Sequence, residues 1–326
     1  TSERDPGRNT DRVWPDSHTS ERGRKRKSSS NRPATASSIC RAGATPVFVD
    51  IDPETFNLDV DAIEDAITPH TKAIMPVHLF GQCCDMEPLW RLCQKYKLHI
   101  VEDACQAIGA EYQGRRAGVL GTVGCFSFFS NKNISTGEGG LVVTNDSALA
   151  QKLKLLRSHG MTTMSYERAK GHSTKYDVVE LGYNYRLDDI HASLARVQLR
   201  KLPQDLIQRA QVRTWYLERL REISGVVVPF AHHQSFSSNY IFPIVLRDAD
   251  ADRREQVRDI MHGRGVQTSV HYPAIHRFSI YQEFASELPL SEYVADCDIT
   301  LPMFAKLTQQ QVEFIVSSLS FALSGR

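Results

Sequence analysis

The chain has 326 residues, 41% hydrophobic and 24% charged, enough to bury a substantial core and to build a large domain with a smaller one attached. Its 39 Lys and Arg against 38 Asp and Glu leave a formal charge of +1, which offers no global field for nucleic acid. No apolar run is long enough to span a bilayer, and the seven cysteines include no CxxC pair or paired metal-ligand spacing, so the expected protein is reduced, cytoplasmic and without a metal site.

Residues 1–33 are basic and polar, with Val13 and Trp14 as the only sizeable apolar groups in the stretch. Such a composition cannot offset the entropy of ordering, so this tail is expected to be disordered. Its run Arg22-Gly23-Arg24-Lys25-Arg26-Lys27 reads as solvated charge in preference to a nucleic-acid patch.

From residue 46 onward, strand-like and helix-like segments alternate. Residues 46–50 and 73–77 are short apolar runs, 86–96 have helical spacing, and 98–102 are again strand-like. This alternation predicts a mainly parallel sheet covered by helices. The strand at 98–102 delivers Asp103 to its carboxyl end, where ligands bind in open α/β sheets. A solvated strand-end carboxylate and a helix N-cap are the alternatives.

The next strand, Gly124-Cys125-Phe126-Ser127-Phe128-Phe129, leads to Lys132 and the glycine-rich run Thr136-Gly137-Glu138-Gly139-Gly140. An amine held at a strand end suits Schiff-base chemistry, provided partial burial keeps some of it neutral; a solvated turn lysine is the plainer reading. A polar, aromatic turn at residues 181–189 opens the apolar-periodic stretch 190–202, with Asp188 or Asp189 as its cap. Beyond residue 204 the pattern changes. Strands are expected at 240–246 and 266–271, and helices at 252–262 and 308–319, the last with a Thr308/Gln311 capping box. The expected division is therefore a large α/β domain at 34–204 and a smaller C-terminal α+β domain at 205–326.

Taken together, "EDACQAIGAEYQGRRAG", "GCFSFFSNKNISTGEGGLVVTND", "LRSHG" and "LGYNYRLDDIHASLARVQL" resemble the DegT/DnrJ/StrS-type nucleotide-sugar aminotransferases, and the motifs stand in that family's order. The resemblance implies a pyridoxal 5'-phosphate (PLP) enzyme of the aspartate aminotransferase-like fold. It implies that Lys132 carries the cofactor as a Schiff base, Asp103 pairs with the pyridine nitrogen, Gln106 lies by the ring's phenolic oxygen, and Ser127 binds the phosphate. Asn184 would reach the phosphate of a neighbouring subunit's cofactor, which implies a homodimer. The substrates implied are an amino-acid donor, glutamate in most of the family, and a keto sugar attached to a nucleotide. Relatives that dehydrate sugars carry histidine in place of the lysine, so Lys132 indicates amino transfer. His271 and His276, in "SVHYPAIH", fall in a segment similar to the family's sugar-cleft wall and are candidate substrate contacts. His78 and His159 have the same standing.

One part of the family pattern is not matched. Members carry, upstream of the segment corresponding to residues 34–50, a Ser-Gly-Thr loop that opens a helix and gives backbone N–H groups to the cofactor phosphate. The basic tail occupies that place here. The expectation is weakened or abolished PLP binding in this chain, with a non-catalytic or regulatory scaffold as the alternative function.

Overall fold

The computed structural model describes residues 25–28, 33–162, 176–232 and 236–325. Its main sheet has six strands in the order β2-β1-β3-β4-β7-β8. These are β1 (Lys25–Ser28), β2 (Thr45–Val47), β3 (Thr71–Met75), β4 (His99–Asp103), β7 (Val123–Ser127) and β8 (Gly140–Val143). Every pairing is parallel except that of β7 with the edge strand β8. A two-stranded hairpin, β5 (Glu111–Tyr112) with β6 (Arg115–Arg116), follows β4.

The position of β1 corrects the expectation of disorder throughout residues 1–33. Lys25–Ser28 pairs with β2 on one side and β3 on the other. Composition measures what side chains can bury, whereas a strand between two parallel neighbours is held by backbone N–H and C=O groups that every such residue has. Residues 1–24, with Val13 and Trp14, lie outside the described residues.

Helices cover the sheet as the alternation predicts: α1 (Pro33–Arg41), α2 (Asp61–Asp65) and α3 (Met86–Tyr96), whereas α4 (Ser147–Leu156) buries no residue in the single chain. Ile63, Leu89 and Leu92 pack with Val49, Ile74 and Ile100 in one apolar cluster. Gly124 sits where a side chain has no room, since a Cβ there would stand 2.2 Å from the carbonyl oxygen of Gly118. This close approach seats the loop before β7 directly on that strand.

The 32-residue helix α5 (Asp189–Leu220) starts at an Asp188 cap whose side chain accepts from the N–H of His191 at 3.0 Å. The expected domain boundary at 204 falls inside this helix, beside Pro203. Beyond it, β9 (Val226–Val227), β10 (Phe242–Leu246) and β11 (Asp298–Leu301) form an antiparallel sheet in the order β11-β10-β9. The helices α6 (Ala251–Gly263), α7 (Pro289–Cys297) and α8 (Gln309–Leu323) complete this part. Val257, Met261, Val312, Ile315 and Leu319 bury against Ile244 and Ile299 of the sheet and Tyr216 of α5, and the Thr308/Gln311 capping box is formed.

The strand expected at 266–271 is reduced to a single bridge, Ser269 with Thr300. The ladder stops because the N–H of His271 goes to the Asp298 carboxylate at 2.8 Å and is lost to any backbone carbonyl. Among the described residues, no helix is long and apolar enough to cross a membrane.

Candidate active site

The parallel strands β4 and β7 pair Asp103 with Cys125, so Asp103 and Ser127 come to the same carboxyl edge of the sheet. The backbone of Asp103 is fixed on its other side too, donating to Pro76 O at 2.9 Å and accepting from the N–H of His78 at 3.1 Å. Its side chain caps no helix. One oxygen accepts from the Oγ1 of Thr35 at 2.7 Å and the other from the N–H of Cys105 at 3.2 Å, which leaves an anchored, half-buried carboxylate.

The residue before it, Glu102, faces the opposite side of the strand and is fully buried. It accepts from His78 Nε2 at 2.9 Å and from the N–H groups of Gly118 and Gly121 at 2.6 and 2.5 Å. His78 Nδ1 takes the N–H of Cys84 at 3.2 Å, which assigns the ring proton to Nε2. His78 is thus committed to holding the loop at 78–84 against β4.

That loop also meets other residues of the site. Phe80 N–H donates to Gln106 Oε1 at 3.0 Å, while Gln106 Nε2 is buried and without a hydrogen-bond partner among the described residues. Gly81, at φ 99°, touches the chain at Ser238, where a Cβ would stand 2.4 Å from the serine Oγ. Ser238 in turn donates to Gln106 O at 2.7 Å and accepts from Asn133 Nδ2 at 2.9 Å.

Lys132 lies within this knot and is only 8% exposed. Its backbone N–H closes a turn on Phe129 O at 2.9 Å, and its Nζ lies 3.1 Å from the phenol oxygen of Tyr240 and 4.4 Å from the centre of that ring. The solvated-turn reading of this lysine is therefore wrong: the amine is buried. Ser127, at the end of β7, is half-buried and accepts from the N–H of Phe129 at 3.3 Å. A buried amine, an anchored carboxylate and an orphaned amide donor at one sheet edge fit a cofactor that has an aldehyde, a basic ring nitrogen and a ring oxygen.

These contacts do not include Asn184, His271 or His276. Asn184 is exposed, bridges Ser158 and accepts from Arg186 Nε at 2.8 Å. His271 Nδ1 is 2.8 Å from Thr300 Oγ1, and His271 lines a cavity of about 470 Å³ in the C-terminal part. His276 is buried, with Nε2 2.8 Å from Glu292 Oε1. His159 takes positive φ and donates its backbone N–H to Tyr183 O at 2.8 Å. Burial pushes the thiols of Cys83 and Cys125 up to about 12 and about 11, so neither supplies a thiolate near neutral pH. Among the described residues no cluster of three or more His, Cys, Asp or Glu side chains could hold a metal ion.

Three residues here were not singled out from the sequence: Thr35, Ser238 and Tyr240. Thr35 is 68 positions from Asp103, and Tyr240 is 108 from Lys132. No local pattern marks such pairs.

The sequence pattern that matches residues 28–320 is that of the DegT/DnrJ/EryC1/StrS aminotransferase family. The chain belongs to this family. It is a DegT/DnrJ/EryC1/StrS aminotransferase, and PLP is the cofactor of the family. GDP-perosamine synthase of Caulobacter vibrioides is 36% identical over 294 residues, which cover 89% of this chain and 76% of that protein. UDP-N-acetyl-3-dehydro-alpha-D-glucosamine 3-aminotransferase of Acidithiobacillus ferrooxidans is 37% identical, covering 90% and 75%. Among solved structures, Helicobacter pylori PseC, an aminotransferase of pseudoaminic acid biosynthesis, superposes with a TM-score of 0.87 at 30% identity, covering 95% of this chain and 82% of its own. The PLP-form of the putative sugar aminotransferase Spr1654 of Streptococcus pneumoniae gives 0.85 at 27% identity, covering 93% and 81%.

Proposed function

We propose that this family member transfers an amino group from an amino acid, L-glutamate in the first instance, to a keto sugar carried on a nucleotide, for polysaccharide or glycan precursor synthesis. The observation that carries the reading is the buried Lys132 amine gathered with Asp103 and the orphaned Gln106 amide at the carboxyl edge of the sheet. Support for a nucleotide-linked sugar comes from the GDP and UDP sugars in the names of the two relatives.

When bound, PLP supplies a cationic ring that accepts the electrons released at a substrate carbon. In this reading Lys132 holds the cofactor through Nζ and, once displaced by the donor, acts as general base, taking the proton from the donor's α-carbon and returning one to the sugar carbon in the second half. Asp103 would pair with the ring nitrogen and favour its protonated form, and the bonds from Thr35 and Cys105 anchor its carboxylate in place for that contact. Gln106 Nε2, without a partner among the described residues, would donate to the ring oxygen, and Ser127 would donate to the phosphate. His271 and His276 are kept as candidate contacts to the sugar side.

The same reading makes the enzyme a homodimer in which Asn184 serves the partner's cofactor. Its support is an apolar surface on the same chain segment: Leu181 is 95% exposed and Ile190 81%, and α4 buries no residue at all. Apolar exposure on this scale marks an interaction site.

The test is amino transfer from L-glutamate to keto-sugar nucleotides, with the PLP absorbance band recorded and Lys132→Ala as control. Lysine-dependent transfer with a lysine-dependent band is the expected result. A band and transfer that survive Lys132→Ala would remove the reading.

A further inference from the structure

The segment at 237–240 crosses from the C-terminal sheet to the candidate site and is tied down at each step. Ser238 N–H donates to Gly81 O at 2.9 Å and Tyr240 N–H to Phe80 O at 3.1 Å. On the other side Arg209, itself paired with Asp205 at 2.7 Å, donates to Asn239 O at 3.2 Å. With Ser238 also bound to Gln106 and Asn133, the backbone that carries Tyr240 is fixed to the same loops that carry the site. Tyr240 is buried, at 4% exposure, and its phenol and ring face both address the Lys132 amine.

We propose that Tyr240 is a further catalytic residue, whose phenol positions the Lys132 amine and stabilises the ammonium that proton abstraction creates. This rests on the reading of Lys132 as the base. When the C–H bond at the donor's α-carbon breaks, its electron pair stays on the carbon side. The proton forms a new N–H bond at Nζ, and the neutral amine becomes an ammonium. The phenol oxygen accepts one N–H of that ammonium, a charge-assisted bond stronger than the one it makes to a neutral amine. The ring face attracts the same charge, more strongly in a desolvated site than at a surface. Both interactions grow as the charge develops, which is the condition for lowering a barrier in preference to tightening ground-state binding.

The test compares wild type, Tyr240→Phe, Tyr240→Leu and Lys132→Ala. Cofactor uptake and apo-protein melting are measured first. The half-reaction is then followed by absorbance with L-glutamate, L-glutamine, L-aspartate and L-alanine, the fastest donor being repeated with deuterium at its α-carbon. Acetylation of Lys132 in the apo-proteins by acetic anhydride at pH 7, read by mass spectrometry, reports the neutral amine without turnover. Tyr240→Phe is expected to lower kcat about 10-fold with KM within twofold, to raise the deuterium isotope effect, and to acetylate severalfold faster. Tyr240→Leu, which also loses the ring face, lowers kcat further.

Unchanged kcat, isotope effect and acetylation in Tyr240→Phe would overturn the proposal. So would a loss of cofactor uptake and melting temperature that accounts for the whole fall in rate. If Lys132→Ala keeps the wild-type half-reaction, the reading of Lys132 itself falls, an outcome distinct from a silent Tyr240→Phe beside an inactive Lys132→Ala.

Discussion

Thr35 Oγ1 donates to Asp103 Oδ2 across 2.7 Å, so the first helix after β1 helps to hold the carboxylate at the end of β4 in place. Asp103→Asn keeps the shape and an acceptor for Thr35 but removes the charge that a protonated ring nitrogen needs. Loss of one partner of such a pair costs about 3–5 kcal/mol, or roughly two to four decades in rate if it falls on the transition state. Thr35→Val removes a single bond to a charged group, about 1.5–3 kcal/mol, and is expected to lower kcat by roughly 10-fold to 100-fold. Single-turnover amino transfer measures both, and an Asp103→Asn enzyme within threefold of wild type would refute the assignment.

Glu102, next to Asp103 but on the other face of β4, is a structural counterpart with a different readout. Three donors converge on it: the His78 ring and the N–H groups of Gly118 and Gly121. Glu102→Ala leaves all three donors without that acceptor, and a buried donor left unsatisfied costs about 1–3 kcal/mol. Denaturant unfolding at constant pH should show that loss. A midpoint unchanged from wild type would mean that the loops at 78–84 and 118–121 are held by other means.

The exposed apolar segment gives a prediction about assembly. Leu181→Asp and Ile190→Asp place a carboxylate on residues that are 95% and 81% exposed in the single chain, so the fold itself loses little. In a homodimer those positions are desolvated, and an unpaired buried charge opposes association strongly. Sedimentation should show a dimer of 36.8 kDa chains for wild type and a monomer for the double variant, with activity lost if Asn184 serves the partner's site. A wild-type monomer that is fully active would reject the shared-site arrangement.

Which parts of this were legible in advance follows from how far each signal reaches along the chain. Met86–Tyr96 was predicted residue for residue as a helix, because apolar spacing at 3.6 residues is a local signal. The Thr308/Gln311 box is legible for the same reason, and so is a helix cap at Asp188 or Asp189, of which the structure selects Asp188. Lys132 and Asp103 stand out through motif context, Asp103 at the end of β4 and Lys132 on the turn that follows β7. The backbone pairing of Lys25–Ser28 was hidden because a charged composition says nothing about ladder bonds on either side. In the sequence, Tyr240 only opens an apolar strand. Its role depends on Gly81 allowing Ser238 to approach, a contact between distant segments that no periodicity carries.

Asp298 provides a pH test of the C-terminal part. It is fully buried, its Oδ2 accepts from the N–H of His271 at 2.8 Å, and its Oδ1 has no hydrogen-bond partner among the described residues. Burial pushes this carboxyl up to about 7, against the opposing pull of the His271 N–H and of Arg254 and Arg258. A folded value above the unfolded one, about 3.9, means that the native state binds the proton more tightly. The associated stability is therefore complete below about pH 4 and is lost as pH rises through about 7, a change on the order of 4 kcal/mol for roughly three pKa units. Asp298→Asn keeps an acceptor for His271 and carries no proton to lose. Denaturant unfolding of both proteins at pH 5, 6, 7 and 8 should show wild-type stability falling relative to Asp298→Asn across that range, most steeply up to about pH 7. A constant difference would show that Asp298 stays ionised in the folded protein.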